Sequence, residues 1–300
     1  LLNELGNYRV KLAEHALLRY KSDIKAIGLK LGFTNKAIEG WFARRRIPLR
    51  VIASLKLSRK DLIGAKILPP YHKKPYIPCL LVLNEKFLRL LGYYVAEGSI
   101  CKRHLSLGVI ISISDTHIRD EISFYVRELF GVEPTENGRF IRFGGKIHAL
   151  LFSELLGAGP TSHEKHIPPI LFKLNVKLIS EFLFAYHRGD GFTCKDRVGF
   201  DTVSRSLANG LVFLLQKLGL YPIVKKRKRI TCFTRNEMKV IYRVLVTGWR
   251  DISKLLEIIP NLKDANKLNY ILSKSKGREI KGRIPVFKRF RGKHSQAGLP

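Results

Sequence analysis

With 300 residues and 45% hydrophobic residues the chain is long enough for two or three globular domains with real cores. Its 55 Lys and Arg against 24 Asp and Glu, a formal net charge of +31, exceed what solubility needs and point to a polyanionic partner, nucleic acid ahead of an anionic membrane surface. No apolar run approaches the roughly 18 residues of a membrane span and no signal peptide precedes the first charges, so a soluble, intracellular, DNA-associated protein is expected.

Cys79, Cys101, Cys194 and Cys232 contain no CxxC pair and none of the spacings of a zinc site, so reduced thiols are expected. Cys101 and Cys194 are read as small buried hydrophobes on matching strands. One Met, two Gln and four Cys leave the chain poor in thermolabile types, a hint of a thermophilic source. The first residue is Leu, which suggests a chain trimmed at its start.

Residues 1–65 are expected to be helical. Ser22 or Asp23 can cap a helix whose apolar face is Ile24, Ile27 and Leu31, and Gly32 stops it. After a turn at Phe33 and Thr34, Asn35 caps a second helix that carries Ile38, Trp41 and Phe42 inward and ends in Arg44, Arg45 and Arg46. Two short helices, a glycine-bearing turn and a basic second helix resemble a helix-turn-helix unit that enters a major groove, with a plain helical hairpin as the alternative. Residues 66–79 hold four prolines and no helical or strand period, which predicts a semi-rigid linker.

The first of two similar halves is expected over 80–177. A helix from Phe87 to Glu97 ends at Gly98, expected in the left-handed conformation; then come a strand over 104–114, a helix from Thr116 to Phe130 with Gly131 after it, a strand over 139–146 and a helix over 147–156. The second half, 178–275, repeats the plan with a helix over 180–190, a strand over 197–204, a helix over 206–218, Gly219, a basic strand region over 223–233 and a helix over 236–246. A repeat near 90 residues fits a duplicated half-domain with pseudo-twofold symmetry. Residues 276–300 form a basic tail that carries Lys276, Arg278, Lys281 and Arg283 and suits phosphate contact.

The halves share a nonamer, LLGYYVAEG at 90–98 and LFAYHRGDG at 183–191, in which Gly92 matches Ala185, Ala96 matches Gly189 and Glu97 matches Asp190. Small residues four apart lie on one helix face, so the two helices can pack closely and bring the two acids together. Acids at helix C-termini are unfavourable against the macrodipole, which argues that these two do more than cap. LLGYYVAEG and LFAYHRGDG resemble the two motifs of single-chain LAGLIDADG homing endonucleases, over roughly residues 82–250. The resemblance implies an α+β fold of two duplicated half-domains, each with an antiparallel sheet, that form a saddle over double-stranded DNA. It also implies a monomer that makes a metal-dependent double-strand break in a long asymmetric target.

Glu97 and Asp190 stand at the position of the motif's functional acid, and two close carboxylates need a cation between them. Mg²⁺ suits the place, with two or more divalent ions at the pseudo-dyad, and the carbonyls of Ala96 and Gly189 are candidate further ligands. The resemblance places a supporting basic residue at Lys146 in the first half and near Thr234 to Asn236 in the second, where Arg235 is the candidate. A water-positioning polar residue maps to Ser112 and to Asp201. For DNA contact the candidates are Arg142 and, in a basic run expected to span a hairpin, Lys225, Arg227 and Arg229 on one face, beside Arg44, Arg45 and Arg46. The same saddle could serve an RNA maturase that binds intron RNA, or a DNA-binding regulator that does not cut. A complete self-splicing intein is not expected, because residue 1 is Leu, residue 300 is Pro and no His-Asn pair lies near the end; an endonuclease domain excised from an intein stays open.

Overall fold

The computed structural model describes residues 5, 7–70, 76–103, 106–194, 197–230, 238–260, 262 and 264–275. The N-terminal region is mixed, where helix alone was expected. It runs β1 (Arg9–Lys11), α1 (Glu14–Arg19), α2 (Lys21–Lys30), α3 (Asn35–Arg44), β2 (Ile47–Pro48), α4 (Leu49–Ala53) and β3 (Lys66–Leu68), and β4 (Ile77–Pro78) completes an antiparallel sheet of order β2-β1-β3-β4. Strands β3 and β4 therefore occupy both ends of the segment expected to be a linker. Strands of two or three residues are too short to show alternation, and Pro48 and Pro78 sit in the two edge strands, where a missing N–H costs no ladder bond.

Val10, Ile24, Ile38, Trp41, Ile47 and Val51 form the core of this region. The cap of α3 is Thr34, whose hydroxyl accepts from the Ala37 N–H at 3.3 Å, one residue before the expected Asn35. Helix α2 starts at Lys21 with no side-chain cap, so Ser22 and Asp23 lie inside its first turn. The buried Asp61 carboxylate ties the region together, accepting from Ser58 Oγ at 2.6 Å, Tyr20 Oη at 2.8 Å and Arg19 Nη1 at 2.7 Å. Hydrogen bonds from Ser58 and Tyr20 hold its pKa down at about 2.

The rest of the described chain is one unit written twice. The first half runs α5 (Glu85–Glu97), β5 (Gly98–Arg103), β6 (Ser106–Ser112), α6 (Thr116–Phe130), β7 (Thr135–Asn137), β8 (Phe140–Phe143) and α7 (Lys146–Leu150). The second runs α8 (Val176–Asp190), β9 (Gly191–Cys194), β10 (Arg197–Thr202), α9 (Arg205–Lys217), β11 (Ile223–Ile230), β12 (Met238–Thr247) and α10 (Trp249–Ile258), with α11 (Ala265–Ser275) after it. The sheets have matching orders, β5-β6-β8-β7 and β9-β10-β12-β11, so the fold is α+β with duplicated half-domains. Each sheet turns an apolar face to its helices: Val109, Ile111, Ile141 and Phe143 in the first, Val198, Phe200, Val244 and Val246 in the second, all buried.

Several elements differ from expectation. Strands β5 and β9 start at the glycine after each acid, earlier than the expected strands, because Gly98 and Gly191 are extended (φ −87° and −90°) and not left-handed. These positions need glycine for another reason. A Cβ on Gly98 would stand 2.5 Å from the Tyr94 carbonyl oxygen, and one on Gly191 would stand 2.6 Å from the His187 Cα. Gly131 (φ 59°) and Gly219 (φ 71°) do adopt the left-handed conformation.

Residues 238–247, expected within a helix, form β12. Its ladder to both β10 and β11 decides the matter, since β-propensity follows the packing a strand finds. The basic run of 225–229 lies within the single strand β11 rather than across a hairpin. Helix α7 continues as a π-helical turn, Leu151–Leu155, in place of a uniform helix over 147–156. Among the described residues no helix is long and apolar enough to cross a membrane.

Candidate metal and nucleic-acid site

Helices α5 and α8 carry the two nonamers and start alike: Asn84 accepts from the Phe87 N–H at 2.9 Å, and Asn175 from the Leu178 N–H at 3.0 Å. Their small residues meet as the spacing predicts. A Cβ on Gly92 would lie 2.9 Å from Ala185 Cβ and 3.0 Å from Tyr186 N, closer still to the Phe182 carbonyl, and a Cβ on Gly189 would lie 2.8 Å from Ala96 Cβ. The backbones can approach this far only because those side chains are absent.

This contact brings the acids together. Glu97 Cγ lies 3.4 Å from the point a Gly189 Cβ would occupy, next to Asp190. Both carboxylates are half-buried. Burial pushes the Glu97 pKa up to about 7, and burial, then the charges of Glu97 and Asp201, pushes Asp190 up to about 8. The fully buried Tyr186 ring lies in the field of both acids, and its hydroxyl has no hydrogen-bond partner among the described residues.

These residues fit a divalent cation. Two oxygen donors repel each other, beside an orphaned hydroxyl, and such a pair suits a hard ion that keeps waters and takes its remaining ligands from phosphate. Among the described residues there is no cluster of three or more His, Cys, Asp or Glu able to hold a metal alone, so main-chain carbonyls, water or substrate would have to complete the shell.

The ionisation of the pair should be visible without substrate. Both acids have folded pKa values above their unfolded ones, so in metal-free protein the folded state binds the extra protons and stability falls as pH rises from about 4 towards about 8. Differential scanning fluorimetry should show this decline, with Mg²⁺ raising Tm more at the alkaline end. A flat Tm profile in both conditions would mean that the acids do not feel each other.

A cleft of ≈ 440 Å³ opens beside Glu97, lined by Ser112, Ser114, Asp115, Arg188 and Gly189. Ser112 thus shares a wall with Glu97 as expected. Strand register makes Asp201 its counterpart, since Gly98 faces Ile111 and Gly191 faces Phe200 one residue earlier. Asp201 differs in being clamped by Arg243, through Nε at 2.7 Å and Nη2 at 2.5 Å. The guanidinium of Arg243 lies 4.4 Å from the Phe192 ring centre.

Lys146 is the first residue of α7 and does not line the Glu97 cleft; its charge acts on Tyr8, which comes in from the N-terminal region. Register corrects its expected partner. Strand β8 corresponds to β12 and α7 to α10, which makes Trp249 the counterpart of Lys146 and removes Thr234 to Asn236 from that place. Reading β12 as a helix had set the strand end one strand too early. Arg235 itself lies outside the described residues.

Arg142 faces Ile110 in the ladder, on the side of the first sheet away from the core residues Ile141 and Phe143. In the second sheet Lys225 faces Arg243, Arg227 faces Ile241 and Arg229 faces Lys239, so 225, 227 and 229 share the face opposite Val244 and Phe200. Arg44 ends α3. Arg45 is its left-handed cap, paired with Glu14 at 3.1 Å, and Arg46 is half-buried, so the three do not form one helical face. Cys79, Cys101 and Cys194 are free thiols; Cys101 is half-buried and Cys194 exposed, against the expected burial, and Cys232 and the 276–300 tail lie outside the described residues.

Arg188, Glu121 and Arg243 escaped the sequence reading. Arg188 did leave a signal, since it stands inside one nonamer where the other has Val95.

The second half, with its acid-bearing helix and sheet, is the part that a known family describes. Residues 177–260 match the LAGLIDADG-like domain family. The chain is 28% identical over 72% of its length to an uncharacterised protein of Methanocaldococcus jannaschii, covering 25% of that protein. It is 33% identical over 45% of its length to the DNA polymerase II large subunit of Thermococcus kodakarensis, covering 8% of it, and 27% identical over 69% to the catalogued A-type ATP synthase chain of Pyrococcus abyssi, covering 20%. The chain thus spans a quarter or less of each of these relatives. Among solved structures, the homing endonuclease I-DmoI in complex with DNA and Mn is similar over 61% of this chain and 99% of that one, at TM-score 0.44 and 16% identity. Full-length DUF199/WhiA from Thermatoga maritima is similar over 68% and 64%, at TM-score 0.43 and 13% identity.

Proposed function

We propose that this chain is a site-specific homing endonuclease of the LAGLIDADG kind, which makes a double-strand break in a long asymmetric DNA target with divalent metal, Mg²⁺ by preference. The observation that carries this reading is the convergence of Glu97 and Asp190, one from each repeat, at the foot of a helix pair whose small residues let the backbones touch. The net charge of +31 and the outward rows of Lys225, Arg227 and Arg229 and of Arg142 support a duplex as partner. The relatives support a mobile module, since matches within a DNA polymerase and within an ATP synthase share a segment and not a common activity.

Glu97 and Asp190, with the main-chain carbonyls of Ala96 and Gly189, would hold the metal, one acid serving each strand. When bound, the metal would lower the pKa of a water, orient it in line and neutralise charge on the phosphate. Ser112 is positioned to hold a water in the first half. Asp201, already engaged by Arg243, is held in a fixed orientation in the second. The N-terminal region, read as a helix-turn-helix, and the 276–300 tail would extend the contact along the duplex.

The test is to select bound duplexes from a randomised pool with the full chain and incubate them with Mg²⁺. Linear product is expected; binding without any cut, over a range of salt and temperature, would reject the nuclease and favour the non-cutting regulator, and preference for intron RNA would favour the maturase. In the same assay Lys225→Ala with Arg227→Ala should weaken binding and reduce the magnitude of the salt slope by about 1 per lost phosphate contact. An unchanged slope would place the duplex on another face.

A further inference from the structure

Arg188 reaches across the interface. It belongs to α8 of the second half, yet it lines the cleft in which the first half's Glu97 lies, with Ser112, Ser114 and Asp115 on the opposite wall. Its side chain is pinned there, Nη1 donating to Glu121 Oε2 at 2.7 Å and to Tyr93 Oη at 3.1 Å, with the guanidinium 5.4 Å from the Phe184 ring centre. Glu121 and Tyr93 both belong to the first half, so the second half's arginine is held by the first half's residues.

The pseudo-twofold does not repeat this arrangement. At the constant nonamer offset, the α5 residue equivalent to Arg188 is Val95, which is fully buried. On the Asp190 side the nearest described arginine pair is instead Arg243 on Asp201, whose register counterparts are the neutral Phe140 and Ser112. One half-site therefore has a cleft arginine supplied in trans, and the other has an acid and arginine locked together within one sheet.

We propose that Arg188 is a phosphate-holding residue for one strand only, binding a non-bridging oxygen of the phosphate that enters the Glu97 cleft, so that the two strands are held and cut unequally. A guanidinium suits this because its planar fork can keep Glu121 with one edge and offer another to phosphate. The inference rests on the proposed function for cutting but not for binding.

Two measurements on the selected duplex test it, using wild type, Arg188→Gln and Arg188→Lys in the full chain. In metal-free fluorescence anisotropy, Arg188→Gln should bind about 5- to 10-fold more weakly with a salt slope smaller by about 1, and Arg188→Lys should recover most of the slope. In Mg²⁺, with each strand labelled separately, Arg188→Gln should slow one strand by about tenfold or more and leave the other within about threefold, so that nicked duplex accumulates. An arginine that only braced the helix pair would slow both strands together, because α8 also carries Asp190. Equal slowing, or unchanged affinity and slope, overturns the inference. A wild type that cuts neither strand overturns the nuclease reading instead, and the anisotropy series still decides whether Arg188 holds phosphate.

Discussion

Asp190→Asn and Glu97→Gln are each expected to lower double-strand cleavage by about 10³-fold or more, equivalent to about 4 kcal/mol, while DNA affinity stays within about threefold. The loss is large because each substitution replaces a charged oxygen donor by a neutral amide at the one place where the described residues gather negative charge for a cation. Affinity is spared because DNA binding is carried by the basic strands and not by the acids, which repel phosphate. A second consequence separates this account from simple misfolding. Removing either charge relieves the repulsion that raises the Asp190 pKa, so at alkaline pH and without metal both variants should melt at higher temperature than wild type, and Mg²⁺ should no longer stabilise them. Plasmid cleavage with quantified nicked and linear products, beside melting curves with and without Mg²⁺, would measure both. Undiminished double-strand cleavage by either variant would remove that carboxylate from the mechanism.

Gly92→Val is expected to damage the whole molecule. The new Cβ would meet Ala185 Cβ at 2.9 Å and Tyr186 N at 3.0 Å, and the Phe182 carbonyl closer still, so α5 and α8 must separate. Replacing a mid-helix glycine normally stabilises by up to about 1 kcal/mol through propensity, but overpacking costs about 1–3 kcal/mol or more, and here two backbone atoms that cannot rotate away are in the path. The overpacking wins. A Tm drop of about 5–10 °C is expected with loss of cleavage, since separating the helices also separates the acids. Gly189→Ala makes a useful contrast: its Cβ would press on Ala96 Cβ at 2.8 Å and on Glu97 Cγ at 3.4 Å, so it should cost activity through a displaced Glu97 more than it costs stability. A Gly92→Val variant with native melting and cleavage would show that the helix pair tolerates a wider spacing than its small residues imply.

The duplication, the acid pair and the small-residue faces were legible from residues 90–98 and 183–191 alone, because helical spacing maps directly onto one face and a repeat offset onto symmetry. Helix α6 was legible to the residue, since Asp115 caps it and Gly131 ends it with a left-handed turn, both local signals. What the chain withheld was decided by long-range pairing. Strands of two or three residues, such as Ile47–Pro48 and Ile77–Pro78, carry no period to detect and exist only because neighbours distant in sequence complete the sheet. Residues 238–247 alternate β-branched and polar side chains without excluding a helix, and only the ladders to β10 and β11 make them a strand. That single register also moved the counterpart of Lys146 from the region of Arg235 to Trp249. The reach of Arg188 into the opposite half's cleft likewise belongs to tertiary structure, because a side chain's partner across an interface is set by how two helices pack and not by either helix's own sequence.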